Sequence, residues 1–173
     1  MKTYCVFCKT GSESLVAEKI NIVDKKVKAI APMRVIQEKR NGKWEKKEKA
    51  LLPGYVFIFT EEELNTFLLN RLSDLYKVLS YDTGVRELAG NDYQYALWVW
   101  RHEGSINSSK VLTEGKNVRV VDGPLLDSCG KIVKLDKHKR KVWVEFEFEG
   151  VTRTIVLSAE CITEQGRNNE QTN

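Results

Sequence analysis

Two groups of residues in this chain have chemistry beyond folding: a cysteine pair near the start and a run of cations near the end. Cys5 and Cys8 form a C-x-x-C, a spacing used for zinc binding or thiol exchange. The pair lies in Tyr4-Cys5-Val6-Phe7-Cys8, an apolar run with the composition of a strand. Positions three apart on a strand point to opposite faces, so the sulfurs diverge. No second C-x-x-C completes a zinc site, and a redox pair of the thioredoxin type begins a helix instead. Both cysteines are expected to be small buried residues in a reducing compartment, with no metal and no cofactor.

The cationic run, Lys131 to Lys141, reads K-I-V-K-L-D-K-H-K-R-K, with six Lys or Arg against one Asp. Lys137, His138, Lys139, Arg140 and Lys141 occupy an expected hairpin tip, exposed enough to reach a phosphate backbone. Such contacts release counterions and are therefore salt-dependent. A merely solubilising turn has the same composition, and the run by itself leaves both readings open. A second cluster, Lys39, Arg40, Lys43, Lys46, Lys47 and Lys49, is diluted by Glu38, Glu45 and Glu48 and reads as a solvated hairpin.

Catalytic constellations are scarce. The two histidines are His102, at an expected helix end where the dipole favours a cation, and His138, in the lysine-rich turn. No G-x-S-x-G, H-E-x-x-H, G-x-x-x-x-G-K-[ST] or G-x-G-x-x-G occurs. An enzyme is not expected.

The elements that must carry these residues follow from periodicity. Tyr4 to Lys9 reads as a strand. Thr10 and Glu13 have capping-box spacing before Val16, Ile20 and Val23 at helical intervals. Val27 to Ala31 is a short strand, and Asn41-Gly42 turns a charged hairpin expected to stand out from the body. Gly54 to Phe59 is apolar throughout and reads as a central strand buried on both faces. A helix capped by Thr60, with Phe67, Leu68, Leu72 and Leu75 on its apolar stripe, precedes a strand at Tyr76 to Tyr81. Another helix spans Asn91 to Glu103 with Tyr95, Leu97, Trp98 and Trp100. Gly104 to Lys110 is polar and aperiodic, a linker composition. Beyond it, Val118 to Val121, Lys131 to Leu135, Val142 to Phe148 and Val151 to Leu157 read as short strands of a small barrel. The stretch Ala50 to Tyr55 joins the charged hairpin to the central strand. Its Leu52, Pro53 and Tyr55 read either as an exposed partner patch or as plain core.

The 173 residues are 30% charged and 42% hydrophobic, enough for packed cores. The net charge of +4 resides entirely in residues 1–112. No apolar run approaches the roughly 18–20 residues that span a bilayer, and MKTYCVFCKTG lacks the apolar stretch of a signal peptide. A cytoplasmic protein without membrane association is expected.

Three separated segments resemble one family. Leu52-Pro53-Gly54-Tyr55-Val56-Phe57 is similar to the F-P-G-Y-V-x-V segment of NusG-type transcription elongation factors. Gly115-x-x-Val118-Arg119-Val120-x-Asp122-Gly123-Pro124, then Gly130-Lys131-Ile132-Val133, resembles their KOW motif. Tyr4-Cys5-Val6-Phe7-Cys8-Lys9-Thr10-Gly11 resembles the opening strand, closer to the specialised antiterminator branch with its Y-C-K-x-G, and Ala31-Pro32-Met33 fits that branch too.

The resemblance implies an α+β protein: an N-terminal NGN α/β sandwich over 1–104, a linker over 105–112, a C-terminal KOW SH3-like β-barrel over 113–164, and a flexible tail over 165–173. It implies docking of an apolar depression onto the clamp helices of RNA polymerase through Tyr4, Phe7, Leu52, Pro53, Tyr55 and Phe57. Lys9 and Arg71 would face the non-template DNA strand. Leu51-Leu52 stands where the family often has aromatics, which still fills an apolar pocket.

In a LoaP-like specialised paralog the barrel would hold a nascent RNA hairpin. Here Lys131, Lys134, Lys137, Lys139 and Lys141 would take phosphates and His138 or Arg140 a base edge. The chain would then suppress pausing and termination as a monomer. The alternative is a general elongation factor whose barrel recruits a termination factor or the ribosome. A ribosome-associated protein using the barrel on structural RNA is a third reading, which the clamp-binding segment disfavours. A barrel that refolds to a helical hairpin is not expected, because its strands are β-branched and aromatic with clean alternation.

Overall fold

The computed structural model describes residues 1–162; the expected tail, 165–173, lies outside them. Two compact units emerge: one of Met1–Met33 with Ala50–Ser105, the other of Arg34–Lys49 with the chain from Ile106.

The first unit is built on an antiparallel sheet. Its strands are β1 (Lys2–Cys8), β2 (Val27–Ile30), β5 (Tyr55–Thr60) and β6 (Leu75–Val78), in the order β2-β5-β1-β6. The two interior strands are the two apolar runs, as burial on both faces requires. Strand alternation sorts their side chains. Tyr4, Val6 and Cys8 of β1, with Val56 and Ile58 of β5, pack on Val16, Ala17 and Ile20 of α1 (Glu13–Val23). The other face meets α3 (Gly90–Arg101), where Tyr95 lies 5.8 Å from Phe57 and Trp100 lies 4.7 Å from Phe59. Cys5 sits opposite Phe57 in the ladder while Cys8 joins the α1 side, so the two sulfurs point to opposite faces. His102 is the C-cap residue of α3, its backbone N–H donating to the carbonyl of Trp98 at 3.3 Å.

Two helix expectations need correction. The helix read from Thr60 to Leu75 is the single turn α2 (Thr66–Leu69). Thr60 instead completes β5 and accepts a hydrogen bond from the Glu62 N–H at 3.1 Å. The Asn65 side chain caps the short turn by accepting from the Phe67 N–H at 3.2 Å. Phe67 is accordingly exposed. The capping box also differs: Ser12 is the N-cap and makes no side-chain cap bond. Glu13 does reach back, but to the Gly11 N–H and not to Thr10.

The second unit holds β8 (Ser109–Glu114), β9 (Asn117–Asp122), a 3-10 turn at Pro124–Asp127, β10 (Lys131–Asp136), β11 (Lys141–Phe148) and β12 (Val151–Cys161). The sheet order is β10-β11-β12-β8-β9, antiparallel except where β12 runs parallel to β8. It curls as a KOW-like barrel around Val142, Val144, Phe146, Phe148 and Leu157, each at most 1% exposed. The alternation read along β11 is therefore the core pattern. Residues 105–112, read as a linker, hold the two-residue β7 (Ser105–Ile106) and the first four residues of β8. Buried Ile106, Val111 and Leu112 supply the apolar anchors that its polar composition concealed. The charged hairpin, β3 (Met33–Arg40) and β4 (Lys43–Ala50), does not stand apart: apart from its end residues it belongs to this second unit.

Candidate partner surface and nucleic-acid interface

In the first unit one turn places an aromatic patch. Gly54 has φ +88°, a conformation that L side chains rarely adopt, and a Cβ there would stand 3.0 Å from the Phe7 ring. Its N–H donates to Glu13 Oε1 at 2.7 Å, and its carbonyl accepts from the Cys8 N–H at 2.8 Å. The same carboxylate accepts from the Gly11 N–H at 3.0 and 3.1 Å. Glu13, only 6% exposed, thus staples the Leu52-Pro53-Gly54-Tyr55 turn to the start of α1.

The turn delivers Tyr55 beside Phe7, ring centroids 5.4 Å apart, and Phe7 is 5.6 Å from Tyr76. Phe7 and Tyr55 are half-buried, Tyr76 is 62% exposed, and Pro53 is exposed on the turn itself. These four make a surface patch. Of the six residues expected to face a polymerase, Tyr4, Leu52 and Phe57 are instead core, at 4%, 3% and 0% exposure. Tyr4 is one residue out of phase with Cys5 and Phe7, which puts it under α1; Phe57 is covered by Tyr95. Tyr76 was missed because the four residues of β6 are too few to show alternation.

Lys9 is exposed just past β1, its backbone N–H donating to the Asp74 carbonyl at 2.8 Å. Arg71 is exposed after α2, with its guanidinium 5.0 Å from the Phe67 ring. Burial, with Glu13 and Asp74 nearby, pushes the Cys8 thiol up to about 11, so it stays protonated and is neither nucleophile nor ligand near neutrality. Among the described residues, no cluster of His, Cys, Asp and Glu has the arrangement to hold a metal ion.

In the second unit the cationic run folds as expected, with β10 and β11 joined by a tip at residues 137–140. Lys131, His138 and Lys139 are exposed and Lys141 half-buried. The Asp136 carboxylate accepts from the Lys139 N–H at 3.0 Å, and that bond holds its pKa low. Lys137 Nζ donates to Thr113 Oγ1 at 3.0 Å, and Lys134 lies 4.5 Å over its ladder partner Trp143.

Arg140, which with His138 was expected to reach a base edge, is engaged within this unit. Its guanidinium stacks 4.2 Å from the Trp44 ring, donates to Gln37 Oε1 at 2.7 Å and pairs with Glu160 at 3.3 Å. Gln37 in turn donates to Glu160 at 2.8 Å. Arg140 therefore ties the Asn41-Gly42 hairpin to the barrel strands. Trp44 was missed as the partner of Arg140; its signal is a lone large aromatic in K-W-E-K-K-E-K, a strand otherwise made of charges.

A family model described as "Transcription termination factor nusG" matches residues 1–91. The transcription termination/antitermination protein NusG of Helicobacter pylori (strain J99) is 25% identical over 168 residues, spanning 91% of this chain and 94% of that protein. The protein of the same name from Campylobacter jejuni is 28% identical over 145 residues, covering 78% and 81% of the two chains. Thermotoga maritima NusG, solved in a study of its domain interaction, superposes with a TM-score of 0.53 at 21% identity, covering 91% of this chain and 93% of that one. At that identity the likeness speaks to the fold.

Proposed function

This chain belongs to the NusG family, whose members are transcription factors and not enzymes, and from that premise we propose that it is a LoaP-like processive antiterminator that holds RNA polymerase and a nascent RNA hairpin together. The polymerase docks on the aromatic patch of Phe7, Pro53, Tyr55 and Tyr76, an apolar surface of the kind that marks partner sites. Tyr4, Leu52 and Phe57 contribute by shaping the sheet and turn that present it. Lys9 and Arg71 lie toward the non-template DNA strand. The RNA docks on the second unit, where Lys131, Lys137, His138, Lys139 and Lys141 take phosphates and the hairpin's shape selects the partner.

The observation that carries the RNA reading is the exposed tip, where His138 and Lys139 stand in solvent on a turn whose backbone bonds to Asp136. The test is binding of the whole chain to structured leader RNA hairpins across a salt series. A preferred hairpin should bind more tightly than its shuffled control, and Lys139→Glu should weaken binding while lowering the salt slope. Equal binding to preferred and shuffled RNAs, or an indifferent Lys139→Glu, defeats the proposal.

One observation favours a second reading, a general elongation factor whose barrel recruits a protein such as a termination factor or a ribosomal protein. Leu126 in the 3-10 turn is 61% exposed and Val133 on β10 is 46% exposed, and exposed apolar residues suit a protein partner. Loss of protein capture on Leu126→Ser, with RNA affinity absent, would decide for it.

A further inference from the structure

The two cationic clusters are about ninety residues apart in sequence yet share one surface of the second unit. Between them runs a groove of about 410 Å³ lined by Gln37, Glu38, Lys39, Trp44, His138, Lys139 and Lys141. That volume lies within the range of small-ligand clefts. Three lysines and a histidine line it against one acid. That acid, Glu38, is already held by Lys47 at 2.8 Å and Lys49 at 3.4 Å, which keep its carboxyl ionised and its charge answered. Asp136 lies beside Lys139 and His138, and with it counted the three lysines still leave the groove net positive toward a ligand. Its aromatic wall, Trp44, is fixed by the Arg140 guanidinium on the ring and by the Gln37–Glu160–Arg140 bonds behind it.

We propose that the Asn41-Gly42 hairpin is half of the RNA-binding face, and that an unpaired nucleotide of the RNA enters this groove. Its base stacks on Trp44 and its flanking phosphates are held by Lys39, Lys139 and Lys141. The inference rests on the RNA reading above and adds the chemical form that is recognised. A positively charged groove with a rigid aromatic wall is the arrangement that binds splayed nucleotides, since every base has a face to stack. A continuous A-form stem cannot use it: its bases are stacked and its deep groove is closed to side chains, so a bulge or loop is required. Arg140 enters as a positioning residue that holds the indole.

The experiment uses the whole chain and three probes: an RNA stem-loop with one bulged 2-aminopurine, its fully paired counterpart, and the bulged sequence as DNA. The bulged RNA should bind best, and its 2-aminopurine fluorescence should be quenched. Trp44→Leu should cost roughly tenfold in affinity for the bulged RNA only and abolish quenching, while Trp44→Phe restores most of both. Lys39→Gln, which leaves Trp44 untouched, should weaken the bulged RNA and reduce its salt slope by about one. If Trp44→Leu and Lys39→Gln leave bulged-RNA binding intact while Lys139→Glu still weakens it, the inference falls and the RNA reading survives. If the wild-type chain binds none of the RNAs, the RNA reading falls and takes the inference with it. DNA bound as tightly as RNA would also overturn it. Thermal midpoints of the Trp44 variants separate unfolding from lost stacking, and Lys39→Gln keeps the test decisive if they fail to fold.

Discussion

Replacing Glu13 by alanine should loosen the turn that presents the aromatic patch, and the structure sets the magnitude. Two backbone N–H groups lose their acceptor, at Gly54 and at Gly11. Gly54 is buried, so its donor is stranded away from water, which costs about 1–3 kcal/mol. Gly11 is exposed and is rehydrated, so only the net value of its bond is lost, about 1 kcal/mol. Loss of an acidic group from the first turn of α1 adds a few tenths. The sum is roughly 2–4 kcal/mol.

Urea denaturation reads the total, and exchange of the Gly54 amide reads the turn itself. A cost of that size accelerates exchange by roughly thirty- to a thousandfold, at about 1.4 kcal/mol per factor of ten. Glu13→Gln keeps one oxygen for Gly54 but turns an amide NH2 toward donors, so it should fall between. It should also bring the Cys8 thiol down from about 11, because the Glu13 charge helps raise it. An alanine variant within about 0.5 kcal/mol of wild type, with unchanged Gly54 exchange, would refute the claim that this carboxylate holds the turn.

Three further outcomes are expected. Gly123→Ala should lower the thermal midpoint by roughly 5–15 °C, from about 2–4 kcal/mol of strain and overlap, because Gly123 has φ +93° and its new Cβ would stand 2.6 Å from the Ser109 Cα. Tyr81→Phe should cost about 1–2 kcal/mol, since its hydroxyl donates to Asp92 at 2.8 Å and accepts from the Ala89 N–H at 3.0 Å. Burial, then Asp92, raise the Tyr81 phenol above its ordinary value of 10.0, so its stabilisation is complete below that pH. It is lost as pH rises through the raised value, a decline that urea midpoints should show for wild type and not for Tyr81→Phe. In native thiol labelling at pH 8, exposed Cys129 should react first and buried Cys5 and Cys8 last; early labelling of Cys8 would contradict the packing of β1 on α1.

What the sequence disclosed followed the strength of its periodic signals. The interior strands β1 and β5 were legible because uniform apolar runs are demanded only of strands covered on both faces. The alternation along β11 gave the barrel core, since Val142, Val144, Phe146 and Phe148 share one side. The cationic tip followed from composition and turn spacing. The α2 region misled because Leu68, Leu72 and Leu75 have helical spacing, while β5 runs on to Thr60 and the helix that starts at the Asn65 cap ends at Leu69. The aromatic surface patch was half legible. Its turn was visible as Leu-Pro-Gly-Tyr, yet a one-residue phase difference along a strand separates buried Tyr4 from half-buried Phe7, and α3 covers Phe57. The Trp44–Arg140 stack was beyond reach, because a contact between residues 96 positions apart leaves no local pattern.

The place of β3 and β4 in the second unit has a consequence during synthesis. The hairpin leaves the ribosome about 110 residues before Cys161, the end of the strand that runs beside β8. At about 5–20 residues per second it waits roughly 5–20 s for the chain it belongs with. During that interval it is a pair of strands with open edges, the form most prone to join a neighbouring chain. Its charges serve in that window: Lys43 to Lys49 are exposed at every position but Trp44, and four lysines against two glutamates leave the strand a positive excess that opposes pairing between copies. The charge density that reads as surface decoration in the finished protein thus acts first as protection of a nascent one, before Arg140 arrives to cover the indole.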